Sequence, residues 1–172
     1  TIPGMVVMCP SDDVEARAAV RAALEYEGPV YIRFGRAAVP VINDHPGYHF
    51  EIGKGTVVRE GKDVTIVATG ICVDSALGAA KMLEEEGISA EVLDLRTLVP
   101  LDWDAIVKSV SKTHNVIVLS EEVKRGSYAA EISAQIAEEL FDELDAPVER
   151  VCGLNSVSPF SPTLEDENFP HP

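Results

Sequence analysis

The sequence has 172 residues, of which 46% are apolar and 25% are charged, a composition typical of ordinary globular proteins. Its 14 lysines and arginines are outnumbered by 29 acidic residues, and the resulting net charge of −15 repels nucleic acid and anionic membrane surfaces. No apolar run approaches the roughly 18 residues of a membrane span, and no basic segment precedes an apolar stretch as in a signal peptide. The sequence therefore predicts a cytoplasmic protein with neither nucleic acid nor membrane as a partner.

The cysteines and histidines form no disulfide or metal-binding pattern. The odd number and wide spacing of the three cysteines fit neither a disulfide framework nor a CxxC motif. Each lies in or beside an apolar segment, so we expect reduced and mostly buried thiols. No histidine pair has the HxxxH or HExxH spacing, so no metal site is predicted. The residues concerned are Cys9, Cys72, Cys152, His45, His49, His114 and His171.

The first predicted unit is a strand, a helix and a second strand joined by a parallel crossover. Residues 5–9 form an apolar run, and a capping residue, Ser11 or Asp12, precedes a helix over about 13–26. Because an interior-type strand begins almost at once and no initiator methionine is present, we expect the chain to be a piece of a longer protein. The expected packing surface of the helix comprises Val14, Ala18, Leu24 and the other alanines.

Two arginines, Arg33 and Arg36, end the second strand of this unit on either side of Gly35. Open α/β sheets bind ligands at the carboxyl ends of their strands. A guanidinium group matches the geometry of phosphate or carboxylate with two parallel hydrogen bonds. Arg33 and Arg36 are therefore candidate ligand-binding residues. The alternative is that both pair with Asp or Glu on the surface.

After Ala37 the pattern of elements lapses, because two prolines and a glycine interrupt any helical period. The sequence thus predicts an incomplete first domain over 1–40, a linker over 41–49 and a second domain over 50–172. The second domain alternates strands with helices of ten or more residues, which predicts an α/β fold: an open, mostly parallel, twisted sheet with helices on both faces. The proline-rich tail from residue 158 is expected to dock without forming an element. Strands are expected at 50–59, 63–68, 88–95, 115–119 and 148–151, and helices at 73–86, 103–112 and 126–144.

No complete catalytic set is recognisable in the residues themselves. The sequence lacks a GxSxG elbow, a P-loop and a dinucleotide-binding fingerprint. Asp94 and Arg96 lie two apart on one strand face, which indicates a structural ion pair rather than a ligand site. Glu121 and Glu122 follow a strand and are either an acid–base pair or, as we favour, part of a loop neutralised by the basic residues at 124–125. On chemistry alone the sequence supports an α/β module and no reaction.

Several distinctive motifs occur in order along nearly the whole chain, and together they resemble the C-terminal part of the transketolase-like thiamine diphosphate enzymes. The most distinctive is Ser89-Ala-Glu-Val-Leu-Asp-Leu-Arg-Thr-Leu-Val-Pro-Leu-Asp102. The others are Ile2-Pro-Gly-Met5, Pro10-Ser-Asp12, Gly28-Pro-Val-Tyr-Ile-Arg33 with Gly35-Arg36, Gly61-Lys-Asp-Val-Thr-Ile-Val-Ala-Thr-Gly70, and Glu121-Glu122 with Gly126 and Ala130-Glu-Ile132.

The resemblance implies that residues 1–40 are the end of a pyrimidine-binding domain and that 50–172 are the family's C-terminal domain, which helps to form the dimer. In the family, the glutamate that activates the thiamine ring precedes the segment that matches this chain. Thiamine diphosphate and Mg²⁺ bind a different domain. The resemblance therefore implies no catalytic, cofactor-binding or metal-binding residue here, and no activity of the chain alone. The implied partners are the upstream transketolase portion or an N-terminal subunit, in a homodimer or a heterotetramer.

Within the family, Arg33 and Arg36 look like those of the sugar-phosphate branch, in which the arginine matching Arg36 holds the substrate phosphate. The resemblance thus implies a transketolase that transfers a two-carbon ketol unit between sugar phosphates, with Arg36 and Arg33 as substrate-binding residues. The alternatives are deoxyxylulose-phosphate synthase and the beta subunits of 2-oxoacid dehydrogenases. The back half is closer to those beta subunits, but they usually have histidine where this chain has Thr1.

Two further alternatives stay open at this point. The chain can act as a dimerisation module without a ligand, an interpretation that gains if Arg36 is locked to an acid in a closed surface network. Regulatory nucleotide binding by the second domain rests only on general α/β architecture.

Overall fold

The computed structural model describes residues 2–172 and shows a mixed α/β protein. Thr1, whose identity counted against a dehydrogenase subunit, lies outside the described residues. None of the helices in the described range is long and apolar enough to span a membrane. The strands are β1 (Val6–Met8), β2 (Val30–Ile32), β3 (Thr56–Arg59), β4 (Val64–Ala68), β5 (Ala90–Asp94), β6 (Thr97–Val99), β7 (Val116–Val123) and β8 (Glu149–Gly153). The helices are α1 (Asp13–Glu25), α2 (Cys72–Glu85), α3 (Trp103–Thr113), α4 (Tyr128–Glu139) and α5 (Pro162–Asn168), with a 3-10 turn at Phe141–Glu143.

The larger sheet has five strands in the order β3-β5-β4-β7-β8. The pairs β4–β5, β4–β7 and β7–β8 are parallel, and only the edge strand β3 is antiparallel to its neighbour. Alternate residues of β4 point to opposite faces: Val67 packs with α3 and α4, whereas Ile66 and Ala68 pack with α2. The predicted fold, a mostly parallel sheet with helices on both faces, is confirmed.

A second sheet of three strands, in the order β2-β1-β6, lies at the carboxyl ends of the larger one. Strand β6 follows β5 directly and pairs antiparallel with β1, so it belongs to the smaller sheet although it comes from the second predicted domain. Backbone hydrogen bonds from Cys9 N to Arg96 O (2.8 Å) and from Gly70 N to Cys9 O (3.1 Å) complete the junction. A side chain at Gly70 has no room, because its Cβ would lie 2.9 Å from Cys9 Sγ. The division into 1–40, 41–49 and 50–172 stays a prediction.

Helix α1 buries the expected alanine Ala19 but not Leu24. Leu24 is 82% exposed, and the buried residues of α1 are Glu15 and Ala19. The predicted packing role of Leu24 is therefore wrong. Hydrophobic periodicity misled here because the most buried position, Glu15, is held by polar partners instead of apolar ones.

Three other local expectations differ from the structure. Strand β7 runs on through Val123, because Val123 pairs with Gly153 of β8, so Glu121 and Glu122 lie in a strand rather than a loop. The last long helix ends at Glu139 instead of continuing to residue 144, and a 3-10 turn follows at Phe141–Glu143. The tail forms the short helix α5, which starts at Pro162, a favourable first helical residue.

Truncation of a buried side chain in β5 should be costly. Leu93 of β5 is fully buried between the sheet and the helices. We expect Leu93→Ala to lower the free energy of unfolding by about 2–5 kcal/mol, through lost apolar burial and the cavity left behind. Urea denaturation followed by circular dichroism measures this loss. Met82→Ala on the exposed side of α2 is the control and should change stability by less than about 0.5 kcal/mol.

Candidate functional site

Arg33 bridges the two sheets through a pair of glutamates. It follows β2, and its Nη1 and Nη2 atoms donate to Glu122 Oε1 and Glu121 Oε1, each at 2.6 Å. All three side chains are partly buried. Both glutamates lie in β7, and Glu121 is 88 residues further along the chain than Arg33. We call these contacts, which join distant parts of the sequence, the Arg33 clamp.

The charges of the Arg33 clamp are mutually satisfied. Burial alone would lower the pKa of Arg33, but Glu121 and Glu122 outweigh burial and raise it. The interpretation of the two glutamates as a loop neutralised by Lys124 and Arg125 is wrong, because their cation is Arg33. Lys124 instead lies 3.2 Å from Glu149.

Glu122 also begins helix α4. Its Oε2 accepts a hydrogen bond from Tyr128 N at 3.0 Å, whereas the N-cap residue, Ser127, makes no side-chain capping bond. A carboxylate at a helix N-terminus is favourable, because the helix dipole and the free N–H groups both attract it. Glu122 therefore serves Arg33 and α4 at the same time, which is a structural role rather than that of a free acid or base.

Arg36 lies beside a cleft of about 550 Å³ between the 36–39 segment, the start of α2 and the C-terminal segment. Its guanidinium pairs with Glu165 of α5, and the Phe160 ring lies 5.9 Å from Arg36 Cζ. The Arg36 side chain is nevertheless 70% exposed. Arg36 thus meets an acid, as the scaffold alternative requires, but in an open cleft rather than a closed network.

Carboxylates outnumber basic side chains in the lining of this cleft. Four carboxylates line it together with Arg36 and His171: Asp74, Glu121, Glu165 and Asp166. A diphosphate group would be repelled there, so the cleft does not fit thiamine diphosphate. Within residues 2–172, no group of three or more His, Cys, Asp or Glu side chains is arranged to hold a metal ion. Substrate binding by Arg33 and Arg36 stays a prediction.

A buried ionic network lies at the junction of the two sheets. Glu15 is completely buried, and its Oε2 accepts hydrogen bonds from Ser11 N at 2.7 Å and Ser11 Oγ at 2.8 Å. Arg96 Nε lies 2.8 Å from Glu15 Oε1, an ion pair without a well-directed hydrogen bond. Tyr48 Oη donates to the same oxygen at 3.2 Å, and Arg96 Nη1 donates to His49 O at 2.9 Å.

Asp12 completes this network as the N-cap of α1. Its carboxylate accepts from Glu15 N at 2.8 Å and from the backbone N–H groups of Ile42 and Asn43, each at 2.7 Å. Burial would raise the pKa of Asp12, but these three hydrogen bonds outweigh it and lower the pKa. Sequence reasoning missed Glu15, although Asp12 and Glu15 have the spacing of a capping box, which was the available signal.

Asp94 does not pair with the Arg96 guanidinium as expected. Its Oδ1 accepts the Arg96 backbone N–H at 3.0 Å, while the Arg96 side chain turns to Glu15. Arg96 has a positive φ of 58°, which redirects the chain from β5 into β6. Asp94 is fully buried, and burial, followed by the nearby Glu15 charge, raises its pKa well above the usual range. The prediction of an ion pair between Asp94 and Arg96 is therefore wrong, because the Arg96 guanidinium pairs with Glu15 instead.

The carboxyl ends of β4 and β7, where open α/β sheets bind ligands, leave little space. The cavity there has a volume of about 10 Å³, enough for about one water molecule. Nearby, burial raises the pKa of Cys9 to about 11 and that of Cys72 to about 12, so both are inert thiols. A nucleotide does not fit this crevice.

Loss of the Arg33 clamp should destabilise the protein. In Arg33→Gln, Glu121 and Glu122 keep their partly buried charges without a cation, at a cost of about 1–2 kcal/mol. Urea denaturation of the variant and the wild type measures it. Arg17→Gln is the matched control, because Arg17 pairs with Asp13 on the exposed face of α1, where an ion pair contributes less than about 0.5 kcal/mol. Equal losses in the two variants would contradict a structural role for the clamp.

Asp94 should make stability depend on pH. A carboxyl with a raised pKa in the folded state binds its proton more tightly when folded, so its contribution to stability falls as pH rises from about 4. Asp94→Asn removes this loss. The free energy of unfolding of the variant relative to wild type should therefore increase between about pH 4.5 and 7.5. Urea denaturation at both pH values tests this, with the exposed Asp142→Asn as control; a constant difference for Asp94→Asn would refute it.

Comparison with known proteins gives matches over the whole chain. Residues 53–172 match the family described as transketolase, C-terminal domain, and residues 1–41 match transketolase, pyrimidine binding domain. The chain is 41% identical over 174 residues to the acetoin:2,6-dichlorophenolindophenol oxidoreductase subunit beta of Bacillus subtilis (strain 168), which covers 100% of this chain and 51% of that protein. It is 41% identical over 167 residues to the 2-oxoisovalerate dehydrogenase subunit beta of the same organism, covering 95% of this chain and 51% of that one.

A solved structure described as a split gene transketolase, inactive beta4 tetramer, is 44% identical, with a TM-score of 0.78 over 90% of this chain and 50% of that chain. The chain spans about half the length of the curated relatives it matches. The family match extends over most of the chain and agrees with the motifs and the fold. The chain therefore belongs to the transketolase family, whose C-terminal domain it carries.

Proposed function

We propose that this chain is part of the beta subunit of a thiamine diphosphate-dependent enzyme that oxidises 2-oxoacids or acetoin, and not of a sugar-phosphate transketolase. The observation that carries the proposal is the similarity, over 95–100% of the chain, to beta subunits of an acetoin oxidoreductase and a 2-oxoisovalerate dehydrogenase. The similarity to a pyruvate dehydrogenase E1 component subunit beta of Dictyostelium discoideum, 37% over 172 residues, supports the same class.

The charges around the two candidate arginines favour this proposal over sugar phosphates. Arg33 is already neutralised by Glu121 and Glu122, and Arg36 is paired with Glu165. A phosphate dianion in the cleft would meet four carboxylates. The carboxylates repel a phosphate dianion more strongly than they repel the single carboxylate of a 2-oxoacid, and they do not repel neutral acetoin.

The contribution of this chain to the enzyme would be structural and conformational. Its described residues hold no catalytic set, and its cleft does not fit the cofactor, so the remaining part of the beta subunit and an alpha subunit would supply both. The partner class that follows is an alpha subunit in a heterotetramer.

A two-subunit transketolase is the second candidate. It is favoured by one observation, the 44% identity to the split gene transketolase structure. The two candidates differ in substrate and not in fold, so only an assay separates them.

The deciding experiment uses the full-length beta subunit co-purified with its alpha subunit, supplied with thiamine diphosphate and Mg²⁺. We expect reduction of 2,6-dichlorophenolindophenol with pyruvate, 2-oxoisovalerate or acetoin as the electron donor, and no ketol transfer from xylulose 5-phosphate to ribose 5-phosphate. For a 2-oxoacid, each dye molecule reduced by two electrons should accompany one CO₂ released.

Omission of thiamine diphosphate is the control and should abolish dye reduction. Ketol transfer without dye reduction would overturn the proposal and establish the transketolase candidate. Beta subunit alone should be inactive with every donor.

A further inference from the structure

The C-terminal segment, residues 158–172, covers the cleft beside Arg36, and we call it the C-terminal latch. We propose that the C-terminal latch is a displaceable cover, opened when a small anion replaces Glu165 on the Arg36 guanidinium. This inference goes beyond the proposed function, because it concerns access to the cleft whichever substrate the enzyme uses.

Two contacts of Arg36 hold the front of the C-terminal latch. Glu165 of α5 forms the ion pair with Arg36, and Phe160 places its ring 5.9 Å from Arg36 Cζ. Phe160 is 95% exposed, so it is held by Arg36 and by little else. The Arg36 side chain is 70% exposed although that of Glu165 is only 19% exposed, so water reaches one side of this ion pair and weakens it. The exposed cation–π contact adds little free energy, so the front attachment can be broken.

The rear of the C-terminal latch is anchored more firmly. Asn168 is buried, its Oδ1 accepts from Ser156 Oγ at 2.6 Å, and its backbone oxygen accepts from Leu154 N at 3.0 Å. Pro172 packs against α2 so closely that a Cβ on Gly78 would lie 2.8 Å from Pro172 Cγ. A segment anchored at its rear, with its front attached through Arg36, can swing about Asn168 without leaving the protein.

The apolar side chains of α5 do not oppose such opening. Leu164 is 52% exposed, so undocking the front of the helix exposes little additional apolar surface. A seven-residue helix is also too short to be stable by itself. When the front detaches, we therefore expect the hydrogen bonds of α5 to open as well, which makes opening visible in amide exchange.

Electrostatics couples opening to anion binding. In the closed state Glu165 is paired with the Arg36 guanidinium, and Asp166 adds a second negative charge to the cleft. Opening removes both, whereas Asp74 of α2 and Glu121, which is paired with Arg33, stay in the cleft. The potential at Arg36 is thus more favourable for an anion in the open state, so an anion must shift the equilibrium towards opening.

The ligand class is a small oxyanion, because a guanidinium fork accepts a carboxylate and a phosphate in the same way. Glu165 itself presents the carboxylate version of this ligand. The two sources of such a group are a 2-oxo carboxylate and a phosphate ester, and the experiment distinguishes them.

The test is hydrogen–deuterium exchange, followed by mass spectrometry, on the full-length beta subunit assembled with its alpha subunit. Pyruvate and inorganic phosphate are titrated separately, with ionic strength held constant by NaCl. We expect saturating anion to accelerate exchange of the α5 amides by about fivefold, the size of effect that loss of one partly exposed ion pair allows. The anion that acts at the lower concentration identifies the source.

Variants test the role of the ion pair itself. Glu165→Gln should exchange about fivefold faster in α5 without any anion and bind the more effective anion about fivefold more tightly in calorimetry. Arg36→Gln should also exchange fast but lose the response to anions. The matched control is Glu167→Gln, an exposed neighbour in the same helix that should behave as wild type.

Exchange in β4 and β5 should be unchanged in every variant, which separates latch opening from general destabilisation. Wild-type α5 exchange that is insensitive to both anions would overturn the proposal, as would wild-type protection in Glu165→Gln. Neither result depends on catalysis. The latch proposal can therefore be overturned while the proposed function stands, and the proposed function can be overturned while the latch proposal stands.

Discussion

The complete burial of Glu15 is the constraint on which the junction of the two sheets depends. A buried carboxylate is tolerated only when charge and hydrogen-bond partners surround it, and these come from Ser11, Tyr48 and Arg96. Since Arg96 stands where β5 passes into β6, the same ion pair holds α1 against the turn that carries β6 to β1. Replacing one member would leave the other charged and unpaired. The two sheets therefore have one relative arrangement in which all of these groups are satisfied.

What was predictable from sequence follows from the distance over which each interaction acts. Most strands and helices of residues 63–139 were predicted, because alternation and helical periodicity are local properties of the chain, whereas β6, which pairs with the distant β1, was not. The partners of the charged residues did not, because Arg33 meets Glu121 88 residues away and Arg96 turns from its neighbour Asp94 to Glu15. A carboxylate such as Glu15 also reads as solvent-facing in any hydrophobic pattern. Only the capping-box spacing at Asp12 marked its position.

The family and the reaction depend on different kinds of residue. The family match covers features that build the fold, such as Gly70 against Cys9 and the Asp94–Arg96 turn, and one fold can serve enzymes with different substrates. We expect the choice of substrate to depend on which charges reach the cleft in the folded protein. Arg36 resembles the sugar-phosphate branch by sequence, yet the structure gives it a carboxylate partner, Glu165. That contact comes from the tail, whose order the sequence did not predict.

The excess of acid over base explains why an arginine at a strand end is a weak indicator of a ligand site in this protein. With 29 acidic residues and 14 lysines and arginines, carboxylates are abundant, and eight of the 14 form ion pairs within residues 2–172, which need no ligand. An anion that binds such a chain must displace a carboxylate already in place. Where that carboxylate sits in a rigid strand, as Glu121 does, displacement requires breaking the sheet junction. Where it sits on a short helix held at one end, as Glu165 does, displacement moves only that helix, so the same acidic excess that blocks Arg33 makes Arg36 switchable.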